Sequence, residues 1–310
     1  MTNFLESITP VHRHSPRRRR RGRRYALTAA AALAGSVLTA VPSHATWGSS
    51  DIYFGAAGEV QTLRTKTGAA YATHAYTRLG NSVPSARMIT VNSDASFARV
   101  AAARPGSEIH NDLVRWARTL KTRGPVFLAY GHEPEAGSGQ GTPAEFKAAF
   151  RKVVQVMRSN GATNVAYTLQ MTAWSFRASS SSRSYIGHWY PGDDVVDVVG
   201  ADAYNWYSCG EGRGRWNELS AVAGAGLAFA KRHGKQFALP EFASHTNSRR
   251  AQWLRNAKSW LEQNKGSVAA AFYFNRLPTN RANSDCRWPL YTSEEHSAIK
   301  AMAGDADFTS

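Results

Sequence analysis

Eight short β-rich runs, each separated from the next by loop or helix-patterned sequence, recur from residue 52 to residue 274. They are Ile52–Phe54, Ala70–Ala75, Arg87–Val91, Val126–Tyr130, Asn164–Leu169, Val195–Gly200, Gln236–Leu239 and Val268–Phe274. Val126-Phe127-Leu128-Ala129 is apolar throughout, and Val195–Val199 is interrupted only by Asp197. Strands covered on both faces lose the polar–apolar alternation of half-exposed ones, so these runs read as parallel strands under helices. Helical patterns lie between most of them. Thr142-Pro143-Ala144-Glu145 is a capping box with proline at the first helical position. Phe146, Phe150, Val153, Val154 and Met157 then form one apolar stripe, and Gly161 supplies the stop. Trp253, Leu254, Ala257, Trp260 and Leu261 repeat the stripe before Gly266, and Asn217–Arg232 ends before Gly234. Eight strand–helix units predict an α/β chain folded as a single (β/α)8 TIM barrel. The helices of the second and third units are poorly marked. No G-x-G-x-x-G follows the first strand, which argues against a dinucleotide-binding open sheet.

The chain has 310 residues and a formal charge of +16, but much of that charge is local. Residues 1–45 hold eight arginines (Arg13, Arg17 to Arg21, Arg23 and Arg24) and one acid, Glu6. An uncharged, alanine-rich stretch from Tyr25 to Val41 follows, then Ser43-His44-Ala45. A basic region, an apolar region and a small-x-small site are the three parts of a secretory leader. The expected division is therefore a leader over 1–45, exported by the Sec or twin-arginine route, and a barrel over 46–310. Arg23-Arg24 suits the twin-arginine route, although the rest of that motif is missing. The expected location is extracellular, with no stable membrane insertion after cleavage. The remaining basic residues are dispersed and form no run interleaved with aromatics, so no nucleic-acid partner is expected. The protein is expected to be a monomer.

Cys209 and Cys286 are the only cysteines. In an oxidising compartment they are expected to pair and tie together two loops on one face of the barrel; the alternative is two free thiols.

A barrel carries its chemistry where the strands end. The fourth strand ends in Tyr130-Gly131-His132-Glu133-Pro134-Glu135, and the seventh in Leu239-Pro240-Glu241-Phe242. Glu133 and Glu241 are thus expected to face one another across one mouth. Paired carboxylates suit cleavage of a glycosidic bond, one as proton donor and the other as an ionised attacker. Trp174, Tyr204 and Trp206 offer flat faces for sugar rings, and His132, Asp202, Asn205 and Asn275 offer hydrogen bonds. Glu135, beyond a proline, is expected in the loop. Asp193 and Asp194 are read as capping the turn into the sixth strand, with Asp197 pairing within the barrel. His132-Glu133 is not a zinc-protease motif, because the second histidine would fall at Ala136. No metal and no cofactor is expected, and without G-x-S-x-G there is no case for a serine hydrolase.

These segments resemble the clan A (β/α)8 glycoside hydrolases, and most closely family 26, best known for β-mannanases. The resemblance runs from about Ile52 to Leu290. It rests on Gly131-His132-Glu133, Gly141–Phe146, Gly161–Val165, Trp189–Tyr204 and Pro240-Glu241-Phe242. Most clan A families have asparagine before the acid/base glutamate; histidine there marks family 26. The resemblance implies Glu133 as acid/base, Glu241 as nucleophile and a retaining mechanism on a β-linked polysaccharide, most closely β-1,4-mannan. It also implies that His132 orients the acid/base or touches sugar, that Tyr204 hydrogen-bonds the nucleophile, and that Asp202 and Trp174 shape subsites. The chain departs from typical mannanases in the loop Pro134–Gly141, which lacks their aromatic stretch, and in the eighth strand's end, where tryptophan arrives only at Trp288. Mixed-linkage β-glucan and β-1,3-xylan are therefore the alternative substrates, and a non-catalytic polysaccharide or cell-wall binder is the alternative function.

Overall fold

The computed structural model describes residues 51–310 except Ser138 and residues 280–282. The leader expected over residues 1–45 lies outside the described residues. Eight parallel strands surround a common axis: β1 (Ile52–Gly58), β2 (Ala72–Arg78), β3 (Met88–Asn92), β4 (Val126–Tyr130), β5 (Val165–Thr172), β6 (Val198–Asn205), β7 (Gln236–Ser244) and β8 (Val268–Asn275). Each pairs with its sequence neighbour, and β1 pairs with both β2 and β8, which closes the barrel. A two-residue strand, β9 (Phe308–Thr309), adds parallel to β1. The (β/α)8 expectation is met.

The helices are α1 (Val60–Thr67), α2 (Phe97–Ala101), α3 (Glu108–Leu120), α4 (Pro143–Ser159), α5 (Ile186–Trp189), α6 (Leu219–Arg232), α7 (Arg250–Gln263) and α8 (Ser293–Ala303). No helix separates β2 from β3, which is where the sequence marks one poorly. α4 begins at the expected capping box, with Thr142 Oγ1 accepting from the Glu145 amide and Glu145 reaching back to the Thr142 amide. Among the described residues, no helix is long and apolar enough to cross a membrane.

Two apolar layers hold the fold. The larger lies between strands and helices and includes Trp116, Phe146, Phe150, Trp189, Trp253 and Ile299. The smaller fills the lower barrel interior with Ala72, Met88, Phe127, Ala166, Val198, Ala270 and Phe272. Because side chains alternate along a strand, residues two or four positions further up the same strands still face the axis. There β2 places His74, β3 Thr90, β5 Gln170 and β6 Asp202, all buried. The interior therefore turns from apolar to polar toward the C-terminal mouth.

Gly200 and Pro240 shape that upper layer. A Cβ on Gly200 would lie 2.7 Å from Pro240 Cγ and 2.9 Å from the Leu169 carbonyl oxygen. Proline cannot donate to the ladder, and the β6–β7 and β7–β8 registers shift between Gly200 and Ala203 and between Leu239 and Phe242. These irregularities accompany Asp202 and Glu241.

A disulfide joins Cys209 to Cys286 across 77 residues, as expected, tying the loop after β6 to the loop after β8. Arg250 of α7 and Glu295 of α8 form a second tie. Both are buried, and paired nitrogens meet paired oxygens at 2.7 and 2.8 Å. Arg250 also donates to the carbonyls of Ser244, Arg287 and Pro289.

Candidate active site

Beyond β4 the chain corners sharply. Gly131 has φ 81° and Glu133 has φ 42°, a left-handed conformation rare for a glutamate. Such strain persists only where the surroundings enforce it. The Gly131 amide donates to the Val91 carbonyl at 3.0 Å and the His132 amide to Asn92 Oδ1 at 3.1 Å. Glu135 anchors the far side of the corner. It lies in a short 3-10 turn, is buried, and accepts from the Thr172 amide at 2.7 Å and from Ser175 Oγ at 2.6 Å. It is a brace between two loops and does not compete with Glu133 for the mouth.

Glu241 sits at the β7 irregularity with 4% of its surface exposed. Its Oε1 accepts from Tyr76 and, at 3.0 Å, from His132 Nε2, and its Oε2 accepts from Tyr204. Burial alone would push the carboxyl up. The hydrogen bond and charge of His132, with the two tyrosine hydroxyls, outweigh it and hold Glu241 at about 2. His132 shows the same balance reversed. Burial works against its charge, yet hydrogen bonds to Asp202 and Glu241 and the nearby carboxylates push it up to about 12.

Glu133 behaves in the opposite way to Glu241. Burial raises it well above the ordinary carboxylate value, with neighbouring carboxylates adding to the rise and His132 opposing it. One oxygen each of Glu133 and Asp202 and one nitrogen of His132 lie within 4.8 Å of one another. A cavity of about 510 Å³ opens above them, lined by Arg78, Asn92, His132, Glu133, Ala136, Gly137 and Gln140. Arg78 and Asp94 form an exposed ion pair at its rim.

The other expected residues divide. Tyr204 bonds Glu241 directly. Its ring packs against Trp206 at 5.6 Å and Trp288 at 4.8 Å. Trp174 stands 59% exposed beyond β5, with the Arg177 guanidinium 5.9 Å from its ring centre. Asp202 is buried beside His132 and Gln170.

Asn205 and Asn275 do not line the cleft. Asn205 is buried, with Nδ2 donating to Ser244 Oγ at 2.9 Å and Oδ1 accepting from the Asn217 amide at 2.9 Å. Asn275 donates to the Glu59 carbonyl and accepts from the Leu290 amide. Each has both ends of its amide committed to neighbouring loops, so each braces the mouth. Asp197 pairs with Arg158 on α4 and accepts from the Tyr167 amide, and so fastens helix to strand.

Sequence reasoning missed Tyr76, which donates to the same oxygen of Glu241 as His132. It also missed His74, Thr90 and Gln170 beneath it. A signal was present as polar residues at alternate positions, His74 and Tyr76 in β2 and Thr168 and Gln170 in β5, and as the single Thr90 within apolar Met88–Val91.

Two glutamates at the C-terminal mouth of a (β/α)8 barrel, one holding its proton and one kept ionised, form the pairing that glycoside hydrolases use. The sequence profile described as glycosyl hydrolase family 26 matches residues 108–275, more than half of the chain, and the chain belongs to that family. It is 29% identical over 194 residues to Endoglucanase H of Acetivibrio thermocellus, a match covering 59% of this chain and 20% of that protein. It is 28% identical over 129 residues to Beta-1,3-xylanase TXYA of a Vibrio species, covering 41% and 24% respectively. The matches thus span a third or less of these relatives' lengths. Among solved structures, a family 26 β-mannanase from Bacteroides ovatus superposes with a TM-score of 0.54 at 16% identity, covering 84% of this chain and 90% of that one. At that identity the likeness speaks for the fold alone.

Proposed function

We propose that this chain is a secreted retaining glycosidase of β-linked polysaccharides, acting by double displacement. Glu133 donates its proton to the glycosidic oxygen as Glu241 attacks the anomeric carbon. The leaving sugar departs and a glycosyl ester forms on Glu241. Glu133, now ionised, then takes a proton from water, whose oxygen attacks the same carbon and frees Glu241. The observation that carries this reading is the opposite proton affinity of the two glutamates. Tyr76, Tyr204 and His132 keep the nucleophile ionised and aimed. Trp174 belongs to the sugar subsites, and Asp202, buried beside His132, supports the catalytic pair from beneath, with Trp206 and Trp288 as the apolar wall behind Tyr204.

β-1,4-Mannan is the first substrate to test. The loop from Pro134 to Gly141 carries no aromatic platform, and the curated relatives are named as a glucanase and a xylanase; both favour β-glucan and β-1,3-xylan as the second reading. The test incubates the 46–310 chain with mannan, mixed-linkage glucan and β-1,3-xylan, and follows product anomers by NMR. Retained configuration at first turnover is expected. Glu241→Gln is expected to lower kcat by a factor of about 10⁴ or more, as loss of a nucleophile does. An inverted product, or full activity in Glu241→Gln, would overturn the reading. Binding to a polysaccharide without release of reducing ends would favour a binding protein.

A further inference from the structure

Beneath the two glutamates runs a buried hydrogen-bond chain across four strands. His74 Nδ1 lies 2.9 Å from the Pro240 carbonyl oxygen, and His74 Nε2 lies 2.8 Å from Thr90 Oγ1. Thr90 Oγ1 lies 2.6 Å from Gln170 Oε1, and Gln170 Nε2 lies 2.8 Å from Asp202 Oδ2. All four side chains are buried.

Counting protons along this chain leaves two arrangements. A carbonyl only accepts, so Nδ1 carries hydrogen. Tyr76 also lies 3.2 Å from Nδ1, but its one hydroxyl hydrogen is directed to Glu241, so it too accepts there. Thr90 has one hydrogen and two neighbours. The oxygen and nitrogen of an amide have nearly the same shape, so Gln170 fits its slot in either orientation. In the first arrangement Gln170 turns its NH2 to an ionised Asp202 and its oxygen to Thr90. Thr90 then donates to Gln170 and must accept from Nε2, which makes His74 a cation. In the second, the Gln170 amide is turned over, exchanging its oxygen and nitrogen, so that Gln170 donates to Thr90 and Thr90 donates to a neutral His74. The Gln170 oxygen then faces Asp202 Oδ2, which must carry a proton. The two arrangements have the same total charge and differ only in which end of the chain holds one proton.

We infer that His74, Thr90 and Gln170 are positioning residues that hold Asp202 as a neutral acid beside the catalytic pair, the proton being kept there by the hydrogen-bond sense of the chain. Three observations favour this arrangement. It separates no charges across a dry interior, where an uncompensated ion is costly. Asp202 Oδ1 has no hydrogen-bond partner among the protein's described residues, a lesser burden for the carbonyl of an acid than for a carboxylate. His132 and Glu241 already compensate one another, and an ionised Asp202 would add an unmatched negative charge between Glu133 and Glu241. Burial acts in the same sense, lowering His74 to about 4 and raising Asp202 to about 7. The groups facing Asp202 are Gln170, His132, Glu133 and Glu241, with Tyr76 and Tyr204 across the site. Those facing His74 are Thr90, Tyr76, Phe272 and the Pro240 carbonyl, with Glu241 and His132 as the nearest charges.

The test combines spectroscopy with kinetics, and only the kinetic arm rests on Glu133 being the proton donor. Infrared difference spectra of the 46–310 chain at pH 5.5 should show a protonated-carboxyl band that Asp202→Asn removes. ¹⁵N NMR should show His74 neutral with hydrogen on Nδ1. Thr90→Val keeps the shape but breaks the chain. Gln170 is then free to turn its NH2 to Asp202, which should ionise, so the band should disappear. The new negative charge should move the basic limb of kcat/KM upward by about one pH unit, and Thr90→Ser should restore both. A wild-type protein without the Asp202-dependent band, or with doubly protonated His74, overturns the inference even if Thr90→Val fails to fold. So does a Thr90→Val protein that retains the band. Loss of the band with an unmoved limb overturns the coupling to Glu133. A protein with the band but no hydrolytic activity would remove the proposed function and leave the proton assignment standing.

Discussion

Glu133→Gln should raise the melting temperature at pH 7 while removing most of the activity. The sign follows from where the proton sits. Folding raises the Glu133 pKa well above its ordinary 4.5, so above that pH the unfolded chain releases a proton that the folded chain keeps. Stability contributed by this residue therefore falls as pH rises. Glutamine has no such proton, so the variant's advantage should grow from pH 4 to pH 7; equal melting-temperature differences at both would contradict it. Glu241 has the opposite linkage. Its folded pKa is depressed, so its contribution is present above the ordinary glutamate value and lost as pH falls through about 2. At this scale the sequence was legible where a residue lies at or near the C-terminal end of a strand, as with Glu133, Glu241 and Tyr204. Asn205 and Asn275 also end strands, yet turn sideways to brace loops. His74, Tyr76 and Gln170 were not found because they point into the barrel at alternate positions, and that direction depends on the closed sheet.

Single elements explain how the two glutamates reach one mouth. β7 does not stop at Leu239 but continues through Pro240 and Glu241 to Ser244, bending where proline interrupts its ladder. Gly200→Ala would press a methyl group against Pro240 and the Leu169 carbonyl. Overpacking of this kind costs about 1–3 kcal/mol, and here the displaced backbone carries Asp202 and Glu241. Denaturant unfolding should show the loss, and kcat should fall more than KM changes. Unaltered kcat with lowered stability would mean that β6 can shift without moving the site. The start of α4 was legible because capping is a local affair of Thr142 and Glu145. The β6 boundary was not, since Val195 and Val196 read as strand but belong to the turn that precedes Val198. Apolar β-branched residues cannot by themselves distinguish a buried turn from a buried strand.

For the whole molecule, closure of the barrel leaves the last helices to be held from outside. Arg250 and Glu295 do this from α7 and α8, and neither stood out in the sequence because each looks like an ordinary helical charge. Glu295→Ala would leave a fully buried guanidinium without its anion, a change that costs about 3–5 kcal/mol. Urea titration should show the midpoint falling; a shift under about 1 kcal/mol would mean that the carbonyls around Arg250 suffice. The cysteine pair adds stability on the order of 4 kcal/mol by the loop-entropy argument for a closed segment of 77 residues. Alternation of strand and helix anticipated a parallel α/β architecture, and eight units without a dinucleotide-binding glycine motif favoured the barrel over an open sheet. Ties made by single side chains between distant segments carry no such periodic signal.

The Cys209–Cys286 bond affects how the chain should be assayed. It lies just beyond Trp206 and just before Trp288, the two rings that back Tyr204, which in turn bonds Glu241. Protein made in a reducing cytosol would keep its barrel but lose the covalent link between these two walls. Such a preparation would melt earlier, yet would look folded by circular dichroism at the assay temperature and still give a poor answer to a substrate panel. A reductant titration should show turnover falling before circular dichroism changes; simultaneous loss would mean the bond supports the barrel as a whole. A negative result on mannan or xylan therefore carries weight only after thiol counting has found none free.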